Sequence, residues 1–261
     1  MASETKFDDK GYWKNRHARV ANLKASGLKS VGVKANNYIY RMLSDQYLKL
    51  LKHKLPMSDV KSILDCGYGD GYFLRFFTEH FPDKKLTGVD ISSDARDKVD
   101  AKVSKKQLHV GDLTSFSLKK KFNLVHCFDV LYHILDEADY RSALGNIAEH
   151  SDKYVVLHEK FVQKSPRFSS AHVRFRRREF TNQVLNSKGF YLHAEMPTHF
   201  MGVRFFTYKL NKIMPGVLYK IDKFIAERFP NHLQEVLGTH TIRVYKKAEA
   251  DSWFILLLVP E

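Results

Sequence analysis

Apolar positions along the chain follow two periods. Short, nearly continuous runs at 63–66, 86–89, 107–110, 122–128 and 154–157 have strand length and end in turn residues. Between them the spacing becomes helical. Phe73, Leu74, Phe76 and Phe77 share a face over 72–80, a short amphipathic helix is expected over 94–101, and Ala138, Leu144 and Ile147 mark a third over 136–150. Alternating strands and helices predict an α/β domain around a mostly parallel sheet. Ahead of the first strand, Ile39, Tyr40, Leu43, Tyr47, Leu50 and Leu51 recur at helical spacing over 36–54, and Asp8 and Asp9 can cap an earlier short element. Beyond the fifth strand, residues 162–178 read as a loop. A helix follows over 179–187, stopped by Gly189, and then a strand at 190–195.

The next forty or so residues break the alternation. Positions 201–237 show aromatic-rich helical patterns interrupted at Pro215 and Pro230, and 239–245 with 252–259 read as a closing hairpin. The expected organisation is a helical N-terminal cap (1–55), a core (56–198 and 238–261) and a helical insertion or substrate subdomain (199–237).

Composition changes this picture little. Hydrophobic residues make up 44% of the 261 positions, ordinary for a globular chain. The cysteines, Cys66 and Cys127, fall in expected strands and form neither a zinc spacing nor a disulfide framework. The polar N-terminus reads as no signal peptide, and the apolar run 253–259 is too short to span a bilayer. Together these point to a cytoplasmic setting. The net charge of +14 leaves nucleic acid or another anionic partner open. Lys105–Lys106 and Lys119–Lys121 flank strands as turns do, whereas the arginines from 174 to 178 stand apart as a cluster.

The informative stretch is 62–90. A strand carrying Asp65 breaks into Gly67-Tyr68-Gly69-Asp70-Gly71, a helix follows, and a second strand ends on Asp90. Glycines let the backbone turn sharply and admit a ligand closely, and an acid after the second strand can accept from both hydroxyls of a ribose. A dinucleotide fingerprint would need a small residue where Tyr72 stands, and the lysine of a P-loop is absent. Asp65 would repel a pyrophosphate and suit a ligand with a cationic amino-acid end.

These residues resemble motif I and the motif II acid of class I S-adenosylmethionine-dependent methyltransferases. The resemblance implies a seven-stranded, mostly parallel Rossmann-like sheet with flanking helices. It implies S-adenosylmethionine as cofactor, S-adenosylhomocysteine as product, and no metal. Asp65, Gly67, Gly69, Gly71, Asp90 with Ile91, Asp112 with Leu113, and Phe128 are the cofactor-binding candidates. Asp112 would accept from the adenine amino group. The Tyr12-Trp13-x-x-Arg16 pattern resembles the cap of small-molecule methyltransferases, so Tyr12 and Arg16 join them, Arg16 facing a carboxylate.

Positions 127–133 should face the transferred methyl group. They lack the N/D-P-P-Y/F pattern of nucleobase amino-methylating enzymes, and Cys127 follows His126 where RNA cytosine-C5 enzymes have a proline. The segment resembles small-molecule enzymes instead. Candidate catalytic groups are His133, His158 and Glu159; candidate acceptor-binding groups are Tyr132, Arg174 and Arg176. The resulting expectation is methylation of a small molecule, an anionic one among the options, at oxygen rather than nitrogen. An RNA or protein methyltransferase, or a binding protein of the same fold, are the alternatives. The sequence does not name the acceptor or the oligomeric state.

Overall fold

The computed structural model describes residues 7–19, 32–99, 102–162, 166–198 and 240–249, with Gly27 and single positions at 217, 220, 221, 224 and 228. The elements are α1 (Asp9–Arg19), α2 (Gly32–Lys54), β1 (Ser62–Cys66), α3 (Tyr72–His80), β2 (Lys85–Asp90), α4 (Ser93–Lys98), β3 (Leu108–Val110), β4 (Phe122–Phe128), α5 (Glu137–Glu149), β5 (Ser151–Val162), β6 (Arg167–Ser170), β7 (Val173–Arg177), α6 (Arg178–Ser187), β8 (Phe190–Thr198) and β9 (His240–Lys247). Two helix starts, those of α4 and α5, are fixed by short polar side chains. Ser92 accepts from the Ala95 N–H, and Asp136 accepts from Ala138 and Asp139.

The sheet runs β3-β2-β1-β4-β5 in parallel, and β9 then β8 continue it antiparallel beyond β5. This is the expected Rossmann-like core of seven strands. The inner strands are buried on both faces, as their unbroken apolar runs require. One apolar layer joins α2 and α3 to the sheet through Tyr47, Leu50, Leu51, Phe73 and Phe77. The other joins α5 and α6 through Leu144, Ile147, Val184 and Leu185, and takes in both cysteines.

Two departures from expectation matter for the site. Residues 162–178 are not a plain loop: β6 and β7 form an antiparallel hairpin, attached where the last residues of β5, Phe161 and Val162, pair with Arg176 and Arg177. The strand at 240–247 has β5 along one edge and β8 along the other, so it is an inner strand and not the outer arm of a terminal hairpin. The second arm, 252–259, and most of the insertion lie outside the described residues.

Candidate active site

A cleft of about 960 Å³, open mouth included, lies beyond the carboxyl ends of β1, β2 and β4. That is where open α/β sheets place their ligands. Its floor is the glycine loop. Gly67, Gly69 and Gly71 all have left-handed backbones (φ of 81°, 52° and 79°). At Gly67 a Cβ would stand 2.3 Å from a Val130 methyl, so the loop and the β4 turn close on each other only because that side chain is missing.

The roof is α1. Asp9, Trp13 and His17, one helical turn apart, face the cleft together with Lys10. The helix is pinned at three places. Asp9 accepts from the Leu135 N–H at 3.1 Å, Lys10 pairs with Asp112 at 2.6 Å, and Lys98 donates to the His17 and Ala18 carbonyls.

Asp90 closes β2 and is buried. Its two oxygens accept separate backbone hydrogen bonds, from Gly69 at 3.0 Å and Ser92 at 2.9 Å. Burial raises its pKa against the opposing pull of His17 and those two N–H groups, while burial lowers the pKa of His17. Asp112 accepts from Thr114 N and Oγ1 at 2.9 Å each. Burial acts to raise its pKa, but Lys10 and the Thr114 donors outweigh this and hold the carboxyl below its ordinary value.

The wall after β4 centres on Asp129, a non-glycine residue with φ of 59°. Its Oδ1 meets His158 Nδ1 at 2.9 Å and accepts from the Tyr132 hydroxyl at 3.1 Å. His158 is fully buried one layer behind. Its Nε2 lies 2.8 Å from the Thr198 hydroxyl, whose oxygen is 3.1 Å from the His240 carbonyl. His133 lines the cleft under the Trp13 ring. Its Nδ1 is 2.8 Å from the His172 carbonyl and therefore carries the hydrogen, leaving Nε2 as the acceptor. Burial drives the His133 pKa down to about 3, so the ring is neutral at physiological pH.

Comparison with known proteins places this architecture. A family model described as a methyltransferase domain matches residues 36–195, more than half of the chain. The chain belongs to that methyltransferase-domain family. A similar curated protein is the dTDP-3-amino-3,4,6-trideoxy-α-D-glucopyranose N,N-dimethyltransferase of Streptomyces venezuelae, 28% identical over 102 residues. The match covers 39% of this chain and 41% of that protein, well under half of either. Among solved structures, the magnesium protoporphyrin IX methyltransferase of Synechocystis PCC 6803 with bound S-adenosylmethionine superposes with a TM-score of 0.60 at 14% identity, covering 94% of this chain and all of that one. An O-methyltransferase from a Brevibacillus brevis polyketide synthase superposes at 0.56 and 14% identity, covering 81% and 74%. At these identities the superpositions speak for the fold.

The cofactor of this methyltransferase-domain family is S-adenosylmethionine, and the cleft's donor set fits it. Among the described residues, five aspartates line the cleft (Asp9, Asp70, Asp90, Asp112 and Asp129) against one lysine, Lys10, in a chain whose net charge is +14. Behind the loop Asp65 is buried with Oδ2 unpartnered among the described residues, and His126 Nε2 stands 3.2 Å from Oδ1. Negative charge on and under the loop suits a sulfonium and an ammonium and opposes a pyrophosphate. The buried Trp13 Nε1 and Tyr68 hydroxyl, on side chains that line the cleft, also have no partner among the described residues.

Of the residues expected from sequence, Gly67, Gly69, Asp90, Ile91, Asp112, Leu113, Phe128 and His133 line the cleft. Gly71 instead caps α3, Asp65 lies behind the loop, and Tyr132 supports Asp129. The others lie away from the cleft lining. Tyr12 and Arg16 lie on the neighbouring face of α1: Tyr12 stacks on His172, and Arg16 donates to the Gly27 carbonyl. His158 lies behind the cleft wall, in contact with Asp129 and with the Phe128 ring, both of which line the cleft.

Glu159 points to the opposite face of the sheet, where it accepts from the Tyr140 hydroxyl at 3.1 Å. Burial, against the nearby Arg176, Tyr140 and Arg243, raises its pKa to about 7. Arg176 is buried, stacked 3.9 Å from the Tyr140 ring, and donates to the carbonyls of Ile134, Leu135 and Asp136. Arg174 pairs with Glu137 at 2.9 Å and donates to the Leu135 carbonyl. These two arginines brace the turn before α5 and are engaged there, not held out toward an anionic acceptor. From sequence Asp9 was only a helix cap and Asp129 only part of the 127–133 segment, and Lys10 and His17 were given no role in the site. The turn-by-turn spacing of 9, 13 and 17 was the available signal.

Proposed function

We propose that the chain transfers a methyl group from S-adenosylmethionine to an amine on a small molecule. The observation that carries this reading is the acidic cleft in a basic chain. It favours a cationic cofactor and an acceptor with N–H groups to donate. The amine attacks as the neutral base, its proton lost to solvent before binding. The C–S bond breaks as the N–C bond forms, leaving a methylated ammonium and S-adenosylhomocysteine. Asp90 would accept from the ribose hydroxyls, with the glycine loop admitting the cofactor backbone closely. Asp112 and Leu113 would meet the base. When bound, the cofactor supplies an electrophilic methyl group on sulfur.

The protein's own work is alignment and exclusion of water. Trp13, Tyr40, Phe73 and Phe128 give the cleft apolar walls. The Asp129 carboxylate, oriented by His158 and Tyr132, would accept from the N–H of the acceptor, and neutral His133 would accept a second hydrogen bond at Nε2. A hydroxyl acceptor needs a group that takes and keeps its proton. His133 is too weakly basic for that, and His158 sits one layer back. The nitrogen reading therefore replaces the oxygen preference drawn from sequence. The curated relative acting as an N,N-dimethyltransferase is in keeping with it.

The test pairs calorimetry with a matched screen. S-adenosylmethionine and S-adenosylhomocysteine are titrated first; no binding at ligand on the order of millimolar sinks the enzyme reading. Amino sugar nucleotides and other small amines are then compared with their hydroxyl counterparts by S-adenosylhomocysteine release. Turnover confined to the hydroxyl compounds sinks the nitrogen reading and leaves the cofactor reading standing.

A further inference from the structure

Asp65 stands on β1 two residues before Gly67 and is buried. The sheet gives it two cross-strand neighbours. On the β2 side the register sets it opposite Gly88, which has no side chain, and on the β4 side opposite His126. Residues opposite one another in register turn to the same face of a sheet. His126 is therefore the cross-strand side chain that meets the carboxylate, and its Nε2 stands 3.2 Å from Oδ1. The other side stays closed to a partner, because a Cβ at position 88 would lie 2.6 Å from the Tyr68 ring.

The imidazole is fully buried and boxed by rings. The centroids of Phe77, Phe128, Phe73 and Tyr47 lie 5.1, 5.1, 5.5 and 6.0 Å from it. Packing holds the ring in place, since neither of its nitrogens has an aligned hydrogen bond among the described residues. Asp65 Oδ2 and the Tyr47 hydroxyl have no partner there either. A buried carboxylate facing one imidazole is costly to keep charged, and an apolar pair in its place would pack more favourably. Such a pair in a native core calls for a reason outside stability.

We propose that His126 is a positioning residue for the cofactor: it holds the Asp65 carboxylate, charged, beneath the glycine loop, where that charge draws the ammonium end of S-adenosylmethionine. This role presupposes S-adenosylmethionine as the ligand of the cleft. Asp65 lies behind the loop and is not part of the cleft lining, so it acts on the ligand through its field and not by touching it. That field is strong because a buried charge is poorly screened by water and salt. Stripped of the imidazole, a buried carboxylate takes up a proton, and the field is lost.

The test is calorimetric titration of the full chain with S-adenosylhomocysteine and with 5′-methylthioadenosine, which shares the nucleoside and lacks the amino-acid end. His126→Phe keeps a ring in the box and removes the imidazole. It should weaken S-adenosylhomocysteine binding roughly tenfold or more and leave 5′-methylthioadenosine within about threefold. His126→Gln, whose amide N–H can reach the place of Nε2, should restore most of the loss. On an Asp65→Asn background, His126→Phe should cost nothing further. If His126→Phe does not fold, His126→Met fills the box without a donor and gives the same reading. Equal losses for the two ligands, no loss for either, His126→Gln no better than His126→Phe, or a full further loss on the Asp65→Asn background each overturns the proposal and leaves the cofactor reading standing. A parent chain that binds neither ligand sinks the cofactor reading and the proposal with it.

Discussion

Asp90→Asn separates the structural work of this carboxylate from its proposed cofactor contact. Each Asp90 oxygen already accepts a backbone N–H, from Gly69 and from Ser92. An amide has one oxygen, so either flip turns its NH2 toward one of those N–H groups. Leaving one buried donor unsatisfied costs about 1–3 kcal/mol. Removing a charge that burial disfavours works the other way, so the net loss of stability should sit at the low end of that range.

The ligand effect has a different origin. Hydroxyls bonded to a carboxylate contribute about 1.5–3 kcal/mol each, more than to a neutral amide. Losing even about 2 kcal/mol weakens S-adenosylhomocysteine binding roughly thirtyfold. Calorimetric titration reads the affinity and urea denaturation reads the stability. An Asn variant that is destabilised yet binds within about threefold of the parent would refute the ribose assignment while keeping the loop role.

Gly67→Ala should destabilise by roughly 2–4 kcal/mol, combining left-handed strain with the Val130 contact, and a second Val130→Ala change should recover only the contact part; urea midpoints of the three variants check this. For Glu159 the folded pKa of about 7 lies above the ordinary 4.5, so its ionisation lowers stability as pH rises from 4.5 to 7. Relative to Glu159→Gln, the parent should lose up to about 3 kcal/mol across that window, read as denaturation midpoints against pH; equal slopes would show that the carboxyl is not held protonated. His133 has the opposite sign, because its folded value lies below the ordinary 6.5. Each pH unit below 6.5 should cost the parent about 1.4 kcal/mol that His133→Gln does not lose, measured by the same titration. Lys10→Met removes a half-exposed ion pair and should change global stability by under about 1 kcal/mol, yet speed tryptic cleavage after Arg16 and Arg19 by loosening α1; an unchanged digestion time course would show that the pair does not hold the helix.

What the sequence made legible was local. The strand, glycine loop, helix and acid from Asp65 to Asp90 carry their geometry in residue type, because a left-handed backbone and a buried run each select a narrow set of side chains. The face of α1 was not legible: both the 9-13-17 and the 12-16 stripes mix aromatic and charged residues, and tertiary contacts decide between them. The arginine hairpin was hidden for a related reason. An arginine run reads as solvent-facing, and nothing near Arg176 in sequence announces the Tyr140 ring and the carbonyls from 134 to 136 that bury it. The reach of His158 toward Thr198 and Asp129 likewise depends on strands far apart in the chain.

The antiparallel pairing of β8 with β9 has a topological consequence. Because β8 ends and β9 begins at the cleft end of the sheet, any chain inserted between them must emerge there. Lengthening such a connection adds only about 0.6 kcal/mol of closure entropy per doubling, and the ladder on either side is untouched. The core can thus be held constant while this junction is exchanged, which makes it a natural graft point for moving acceptor preference between relatives.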